Sequence, residues 1–162
     1  MASGVKVADG VKEMLLSMKL NRSSDDANER IRVVELGLND ANTEIEVKQV
    51  IMEKDVKTLG NVFKFVQCLM GEKECRYIVY DCHYETPQTK KEDLIFIMWS
   101  CDHASPKSRM VYSSSKSAVK KIMDFKFELE LHGKDETTPQ SFCGKMGKEK
   151  VLKLEGLDVK ES

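Results

Sequence analysis

The stretch Leu94-Ile-Phe-Ile-Met-Trp99 decides the fold class, because all six of its positions are apolar. A strand with apolar side chains on both faces is covered on both, as a central strand is when helices flank its sheet. The run is far shorter than the roughly 20 apolar residues that cross a bilayer. It therefore predicts a buried strand inside a helix-flanked sheet.

Segments of two different periodicities surround this strand. Runs rich in alternating apolar residues predict strands at Ile31–Leu38, Glu44–Ile51, Cys75–Tyr84 and Lys126–His132, with Val151–Leu154 as a further edge strand. Apolar residues at steps of three and four predict helices over Val5–Leu20, Leu59–Met70, Met110–Met123 and Gln140–Met146. We expect an α/β (α+β) fold with a mixed sheet of four to five strands between helices.

The composition is that of an ordinary globular protein, with 162 residues, 41% hydrophobic and 33% charged. No internal repeat and no linker rich in proline or glycine interrupts it, so we expect a single domain over residues 1–162. Met1–Gly10 lacks the apolar run of a secretory signal. The five cysteines are an odd number at irregular spacing, which is typical of reduced thiols in the cytosol.

Charge is spread unevenly, although the net charge is only −1. Residues 90–126 contain eight Lys or Arg against four Asp or Glu, which makes this window +4 and leaves −5 for the rest. The balanced total argues against bulk attraction to nucleic acid. One basic region on an acidic body indicates an anionic partner met at one face.

The common enzymatic motifs are missing: the chain has no glycine-rich phosphate loop, no Gly-x-Ser-x-Gly and no His-Glu-x-x-His. We therefore expect a protein that is not an enzyme and has no cofactor. Two clusters, Cys82-His83 and Cys101-Asp-His103, raise the question of a metal ion or a nucleophilic pair. Neither has the spacing of a known zinc site, and neighbouring strand residues point to opposite faces. We expect no metal and no catalytic residue there.

The segment after Trp99 predicts a helix with two unlike faces. The core face spans about a 100° arc at roughly 100° per residue, and it comprises Val111, Ser115, Ala118, Val119 and Ile122. Arg109, Lys116 and Lys120 fall within about 40° of one another on the opposite side, and we call these three residues the cationic stripe. Such a stripe is typical of a solvated face, of anionic-lipid contact or of nucleic-acid contact. Aromatic residues are not interleaved with it, which argues against single-stranded nucleic acid.

Several segments are recognisable together. The main one runs Trp99-Ser-Cys-Asp-His-Ala-Ser-Pro-Lys107-Ser-Arg109-Met110-Val-Tyr112-Ser-Ser-Ser-Lys116. The others are Met1-Ala-Ser-Gly-Val-Lys-Val7, Cys75-Arg-Tyr-Ile-Val-Tyr-Asp81, the run from Tyr84 to Leu94 with Lys90-Lys91, and Leu154-Glu-Gly156. In these segments the chain resembles the actin-depolymerising factor/cofilin family, and vertebrate cofilins in particular, over essentially its whole length.

The resemblance implies the actin-depolymerising-factor homology fold and two surfaces that contact actin. The surface for both monomers and filaments would comprise Ser3, Gly4, Lys107, Arg109, Met110, Lys116 and Lys120. The surface used only on filaments would comprise Lys90, Lys91, Lys126 and Glu128. Actin is acidic, so the cationic stripe would complement it electrostatically.

The resemblance also implies a non-enzymatic mechanism and its control. Tighter binding to ADP-actin and to a changed filament twist would shift filaments toward a state that severs and depolymerises. LIM kinases would phosphorylate Ser3 and so weaken binding, since phosphate adds about −1.5 to −2 charges. Phosphoinositide head groups would compete with actin at Lys107, Arg109, Lys120 and Lys121. The protein would be a monomer of the cytoplasm and cytoskeleton that binds no nucleic acid.

Some positions depart from the family pattern. Cys101 replaces a proline in the loop that enters the helix, and Gly144 replaces an acidic residue. The segment Met123–Lys126 is one residue short, and Glu29-Arg-Ile-Arg32 replaces a basic run that serves nuclear import. These departures bear on severing and on entry into the nucleus rather than on monomer binding. The alternatives are a family-related regulator with weak or absent severing, such as one resembling glia maturation factor, and an anionic-lipid-binding module.

Overall fold

The structure is a computed structural model that describes residues 5–21, 30–59, 61–71, 74–122, 124–146, 151–155 and 157–158. Its strands are β1 (Lys6–Val7), β2 (Ile31–Leu38), β3 (Glu44–Met52), β4 (Cys75–Glu85), β5 (Lys90–Ser100), β6 (Phe127–Leu131), β7 (Lys153–Leu154) and β8 (Leu157–Asp158). Its α-helices are α1 (Asp9–Asn21), α2 (Glu53–Leu59), α3 (Val62–Leu69), α4 (Pro106–Lys120) and α5 (Pro139–Gly144), and a 3-10 helix spans Lys134–Thr137.

All eight strands belong to one mixed sheet, whose main path runs β1-β3-β2-β4-β5-β6. The β1–β3 and β5–β6 pairs are parallel, and the other pairs are antiparallel. The long hairpin of β4 and β5 pairs from Cys75 with Ser100 to Glu85 with Lys90. Strand β7 joins the end of β4, and β6 forms an edge of the main path. The β4–β5 hairpin thus lies at the centre of the sheet, and the strands that carry predicted contact residues either form it or pair with it.

Strand β5 is buried on both faces, as the run Leu94–Trp99 predicts. Ile95, Ile97 and Trp99 point into a cluster with residues of α3 and α5, while Leu94, Phe96 and Met98 point into a second cluster with α1 and α4. The Trp99 indole N–H donates to the Gly71 carbonyl at 2.6 Å, so even its polar atom is satisfied. Helices therefore cover both faces of the sheet.

The fold class is confirmed, and each of the five long strands overlaps a predicted one, although β5 begins at Lys90, four residues before the predicted Leu94. The count of four to five strands is too low, because strands of two residues are too short to show a periodicity. One of these short strands, β7, lies within the predicted edge segment Val151–Leu154. Among the described residues, no helix is long and apolar enough to cross a membrane.

Several predicted boundaries are wrong. The first helix begins at Asp9 rather than Val5, because Lys6 and Val7 pair with Glu44 and Ile45 as a strand. Helix α2, which is short and largely polar, is absent from the prediction. Helix α4 begins at Pro106, four residues before its predicted start, and it ends at Lys120, before the predicted end at Met123, which itself lies outside the described residues.

Candidate functional site

The start of α4 is capped and its entry loop is anchored. The Ser105 side chain accepts from the Ser108 N–H at 3.1 Å, and Pro106 occupies the first turn. Both are preferred at helix N-termini, where N–H groups lack internal partners. In the loop itself, Cys101 is buried and the Asp102 N–H donates to the His132 carbonyl at 3.1 Å. The loop is therefore fixed although a cysteine stands in place of the family's proline.

Tyr112 attaches α4 to the sheet. Its hydroxyl accepts from the Leu38 N–H of β2 at 3.0 Å, and its carbonyl accepts from the Tyr77 hydroxyl of β4. The two tyrosine rings lie 5.0 Å apart. Burial raises the pKa of Tyr112, so its hydroxyl stays protonated at neutral pH. Together these contacts fix both the position and the rotation of α4 on the sheet.

The cationic stripe does not face open solvent. Strand β6 runs beside α4, and its alternate residues Glu128 and Glu130 point toward the helix. Lys120 Nζ lies 2.7 Å from Glu128, and Lys116 Nζ lies 4.0 Å from Glu130. Arg109 Nη2 lies 3.4 Å from Asp102. The prediction of a clean stripe opposite the core is therefore wrong, since each charge is half-buried on the flank and paired with an acid.

The face of α4 that does reach solvent is a different set of side chains. It comprises the exposed residues Lys107, Met110, Ser113, Ser114 and Ser117 of α4 and the C-capping Lys121, and we call this set the outer face. They fall within about a 120° arc of the helix. Met110 is 66% exposed at its centre. Within the described part of the chain, neither Lys107 nor Lys121 has an acidic partner. The outer face thus combines an apolar side chain, two unpaired lysines and small hydroxyls.

The four predicted filament contacts do not form one cluster. Lys90 and Lys91 open β5, and Lys90 Nζ lies 3.9 Å from Glu85 across the hairpin. The Lys126 N–H donates to the Leu94 carbonyl at 2.9 Å, just before β6. Since Leu94 lies three residues beyond Lys91, Lys126 is about 10 Å further along the sheet. Glu128 lies still further along the sheet, and its carboxylate pairs with Lys120 of α4.

The predicted phosphoinositide residues are also spread out. Lys107 and Lys121 lie at opposite ends of α4, about 21 Å apart at 1.5 Å per residue. Arg109 and Lys120 lie on the flank with their acidic partners. One head group cannot contact all four side chains. Ser3 and Gly4, the remaining predicted actin contacts, lie outside the described residues.

A buried ionic network, which the sequence did not predict, lies on the opposite side of the sheet from α4. Arg32 is 2% exposed, and its guanidinium contacts Glu53 at 2.8 Å and Glu155 at 2.7 Å. Glu155 also accepts from the Tyr80 hydroxyl and, at 3.0 Å, from the His83 N–H. This network joins β2, α2 and β4 to the chain after β7. The sequence signal for it is an arginine inside an otherwise apolar strand.

The two Cys–His clusters do not form sites of their own. Cys82 points into the cluster with α3 and α5, while its neighbour His83 lies on the other face, beside Asp81. Burial raises the pKa of the Cys82 thiol well above its usual range, so it is not an activated nucleophile. Cys101 is buried and His103 is exposed. In neither pair, therefore, do the cysteine and the histidine lie on the same face or at the same depth.

Comparison with known proteins points to one family. The model of the cofilin/tropomyosin-type actin-binding proteins matches residues 4–147. Among solved structures, cofilin of Streptomyces griseoflavus is 26% identical, with a TM-score of 0.71 over 91% of this chain and 100% of that one. Actin depolymerization factor 2 of Plasmodium berghei is 22% identical, with a TM-score of 0.75 over 90% and 99%. An ADF-like protein of Caenorhabditis elegans is 19% identical, with a TM-score of 0.68 over 91% and 96%.

Proposed function

This chain belongs to the cofilin and actin-depolymerising-factor family of actin-binding proteins, and we propose that it regulates actin by binding both monomers and filaments. The observation that carries the proposal is the outer face of α4, where Met110 is exposed between Lys107 and Lys121. This face is presented by a helix whose start is capped and whose middle is hydrogen-bonded to the sheet. A rigid surface loses little entropy on binding.

The chemistry of the outer face suits an acidic protein partner. A methionine supplies adaptable apolar contact area, and the flanking lysines steer and orient an acidic surface. The small serines let a partner approach the helix closely. Arg109, Lys116 and Lys120 would contribute less than the outer face, because actin would have to replace their acidic partners. Gly4 and Ser3 would complete this surface.

The position of β1 supports a role for the N-terminus. Val7 of β1 lines a groove of about 640 Å³ together with Ala118 of α4 and Ile122, which follows the helix. The start of the described chain therefore lies beside the C-terminal half of α4. Phosphorylation of Ser3 by LIM kinases would introduce negative charge near this helix and repel acidic actin. We propose this as the switch that turns binding off.

Filament binding would use a second surface. Lys90, Lys91 and Lys126 are exposed or half-exposed along one side of the hairpin, and Glu128 connects them to α4. A protein that contacts two neighbouring subunits through these surfaces would stabilise a changed twist, preferentially in ADP-actin. Filaments would then sever at the boundaries between stretches that carry the bound protein and stretches that do not. In this role the protein would act as a single domain and a monomer, in the cytoplasm on the cytoskeleton.

Phosphoinositides would control actin binding at the same helix, α4. Because Lys107 and Lys121 are about 21 Å apart, a flat anionic membrane rather than one head group would contact both. Binding to such a membrane would cover the outer face and exclude actin. Lipid and actin would thus compete for α4.

Sedimentation with pure filaments, followed by imaging of single filaments, tests the proposal. We expect the wild-type protein to pellet with filaments and to shorten them. Pelleting without severing would support a regulator with weak severing. If the protein does not pellet with filaments but does pellet with anionic vesicles, the proposal is overturned in favour of a lipid-binding module.

A further inference from the structure

We propose that Asp81, His83 and Glu92 bind one divalent transition-metal ion of the zinc class. Asp81 and His83 are two residues apart on β4 and so point to the same face of the sheet. Glu92 of β5 is directly opposite His83 in the antiparallel pairing. The hairpin therefore brings one imidazole and two carboxylates together on one face. The inference rests on none of the proposed actin contacts.

The distances fit a tetrahedral ion. His83 Nε2 lies 3.7 Å from Asp81 Oδ1 and 3.5 Å from Glu92 Oε2. One ligand atom from each of the three residues lies within 4.8 Å of the other two. Bonds of about 2.1 Å at tetrahedral angles separate ligand atoms by about 3.4 Å. The side chains would need to move only slightly to close around an ion.

The charges and the surrounding contacts also favour a cation. Arg30 Nε donates to Asp81 Oδ2 at 2.8 Å, and its Nη2 contacts Glu92. One guanidinium cannot neutralise two carboxylates, so the Arg30, Asp81 and Glu92 side chains together carry a net negative charge. His83 Nε2 is buried without a hydrogen bond to any described residue. Arg30 would orient the carboxylates, as outer-shell partners do in known sites. The metal would bind Asp81 through Oδ1 and Glu92 through Oε2, the oxygen that Arg30 also contacts.

Two of the three residues border a cavity. His83 and Glu92 line a cavity of about 360 Å³, while the ligand atoms Asp81 Oδ1 and His83 Nε2 are buried behind it. An ion and a water as fourth ligand would enter from this cavity once the side chains move aside. Imidazole nitrogen with carboxylate oxygen suits Zn²⁺, Co²⁺ or Ni²⁺. Calcium is a poorer match, because it takes six to eight oxygen ligands.

Titration of the full chain with Co²⁺ under reducing conditions tests the inference. We expect one equivalent to give the visible absorption of tetrahedral cobalt, without a thiolate charge-transfer band, and Zn²⁺ to abolish it. The variants His83→Ala and Glu92→Gln should each weaken binding at least tenfold. The variant His103→Ala, which changes an exposed histidine elsewhere, should bind like the wild type.

A second measurement does not depend on any variant folding correctly. Nitrogen-15 spectra of the wild-type imidazoles should show a large shift of His83 Nε2 on addition of one equivalent of Zn²⁺. The signals of His103 and His132 should move little. If His83 does not respond, or if the cobalt spectrum shows thiolate ligands, the proposed site is wrong.

Discussion

Lys120 of α4 lies 2.7 Å from Glu128 of β6. The family resemblance implies different surfaces for these two residues: Lys120 would contact both monomers and filaments, and Glu128 would contact filaments only. Their ion pair joins α4 to the edge strand and brings one residue of each predicted surface together. The pair also directs the Lys120 ammonium group toward Glu128 rather than toward a binding partner.

The first prediction concerns this ion pair. In a double-mutant cycle of Lys120→Met and Glu128→Gln, we expect a coupling of about 0.5 kcal/mol in the free energy of unfolding, since both side chains are partly exposed. Urea unfolding at low and high salt measures it, and salt should reduce the coupling. A coupling of zero at low salt would mean that the pair does not form in solution.

The second prediction concerns lipid binding. Because Lys107 and Lys121 lie about 21 Å apart, Lys107→Ala and Lys121→Ala should each weaken binding to phosphoinositide vesicles about fivefold. The two losses should multiply in the double variant. Vesicle sedimentation measures all three proteins. A single variant that abolishes binding by itself would indicate one compact head-group pocket instead.

The third prediction concerns the buried network. Arg32→Met leaves Glu155, which is 7% exposed, without its cation. We expect the free energy of unfolding to fall by about 3–5 kcal/mol. The matched control is Lys48→Met, which breaks an exposed pair with Glu46 and should cost less than about 1 kcal/mol. Urea unfolding that gives equal costs for the two variants would contradict the assignment of Arg32 as buried and paired.

The fourth prediction concerns Tyr112 and pH. Tyr112→Phe removes the acceptor of the Leu38 N–H and should cost about 1 kcal/mol at neutral pH. Burial raises the pKa of Tyr112 above that of an unfolded tyrosine, which is about 10. Its stabilising contribution is thus present below pH ~10 and falls as pH rises through the folded value. Unfolding measured from neutral to alkaline pH should show the two proteins converging, and a constant difference would be inconsistent with a buried hydroxyl.

Much of the fold could be predicted because burial leaves a pattern in the sequence. The run Leu94–Trp99 is apolar throughout since both of its faces are covered, and that alone indicates helices on both sides. Strand β1 could not be found, because two residues show no alternation and their pairing with Glu44 and Ile45 is long-range. Helix α2 is polar and short, so its spacing carries little signal.

The candidate site was predictable only in part. The angular positions of Arg109, Lys116 and Lys120 on α4 follow from helix geometry. Their neighbours do not, because Glu128 and Glu130 come from a strand that follows in the chain and whose register is set by β5. The same limit applies to His83, whose pairing with Glu92 depends on the register of the hairpin.

The central claim is that the outer face of α4, rather than the cationic stripe, dominates actin binding. Its most direct test is the affinity for fluorescently labelled ADP-actin monomers. We expect the double variant Lys107→Ala/Met110→Ala to bind at least about tenfold more weakly. The stripe variant Lys116→Ala should lose less than about threefold. Leu152→Ala, which removes an exposed apolar side chain elsewhere, should bind normally. Normal affinity of the double variant, together with a tenfold loss in Lys116→Ala, would contradict the account.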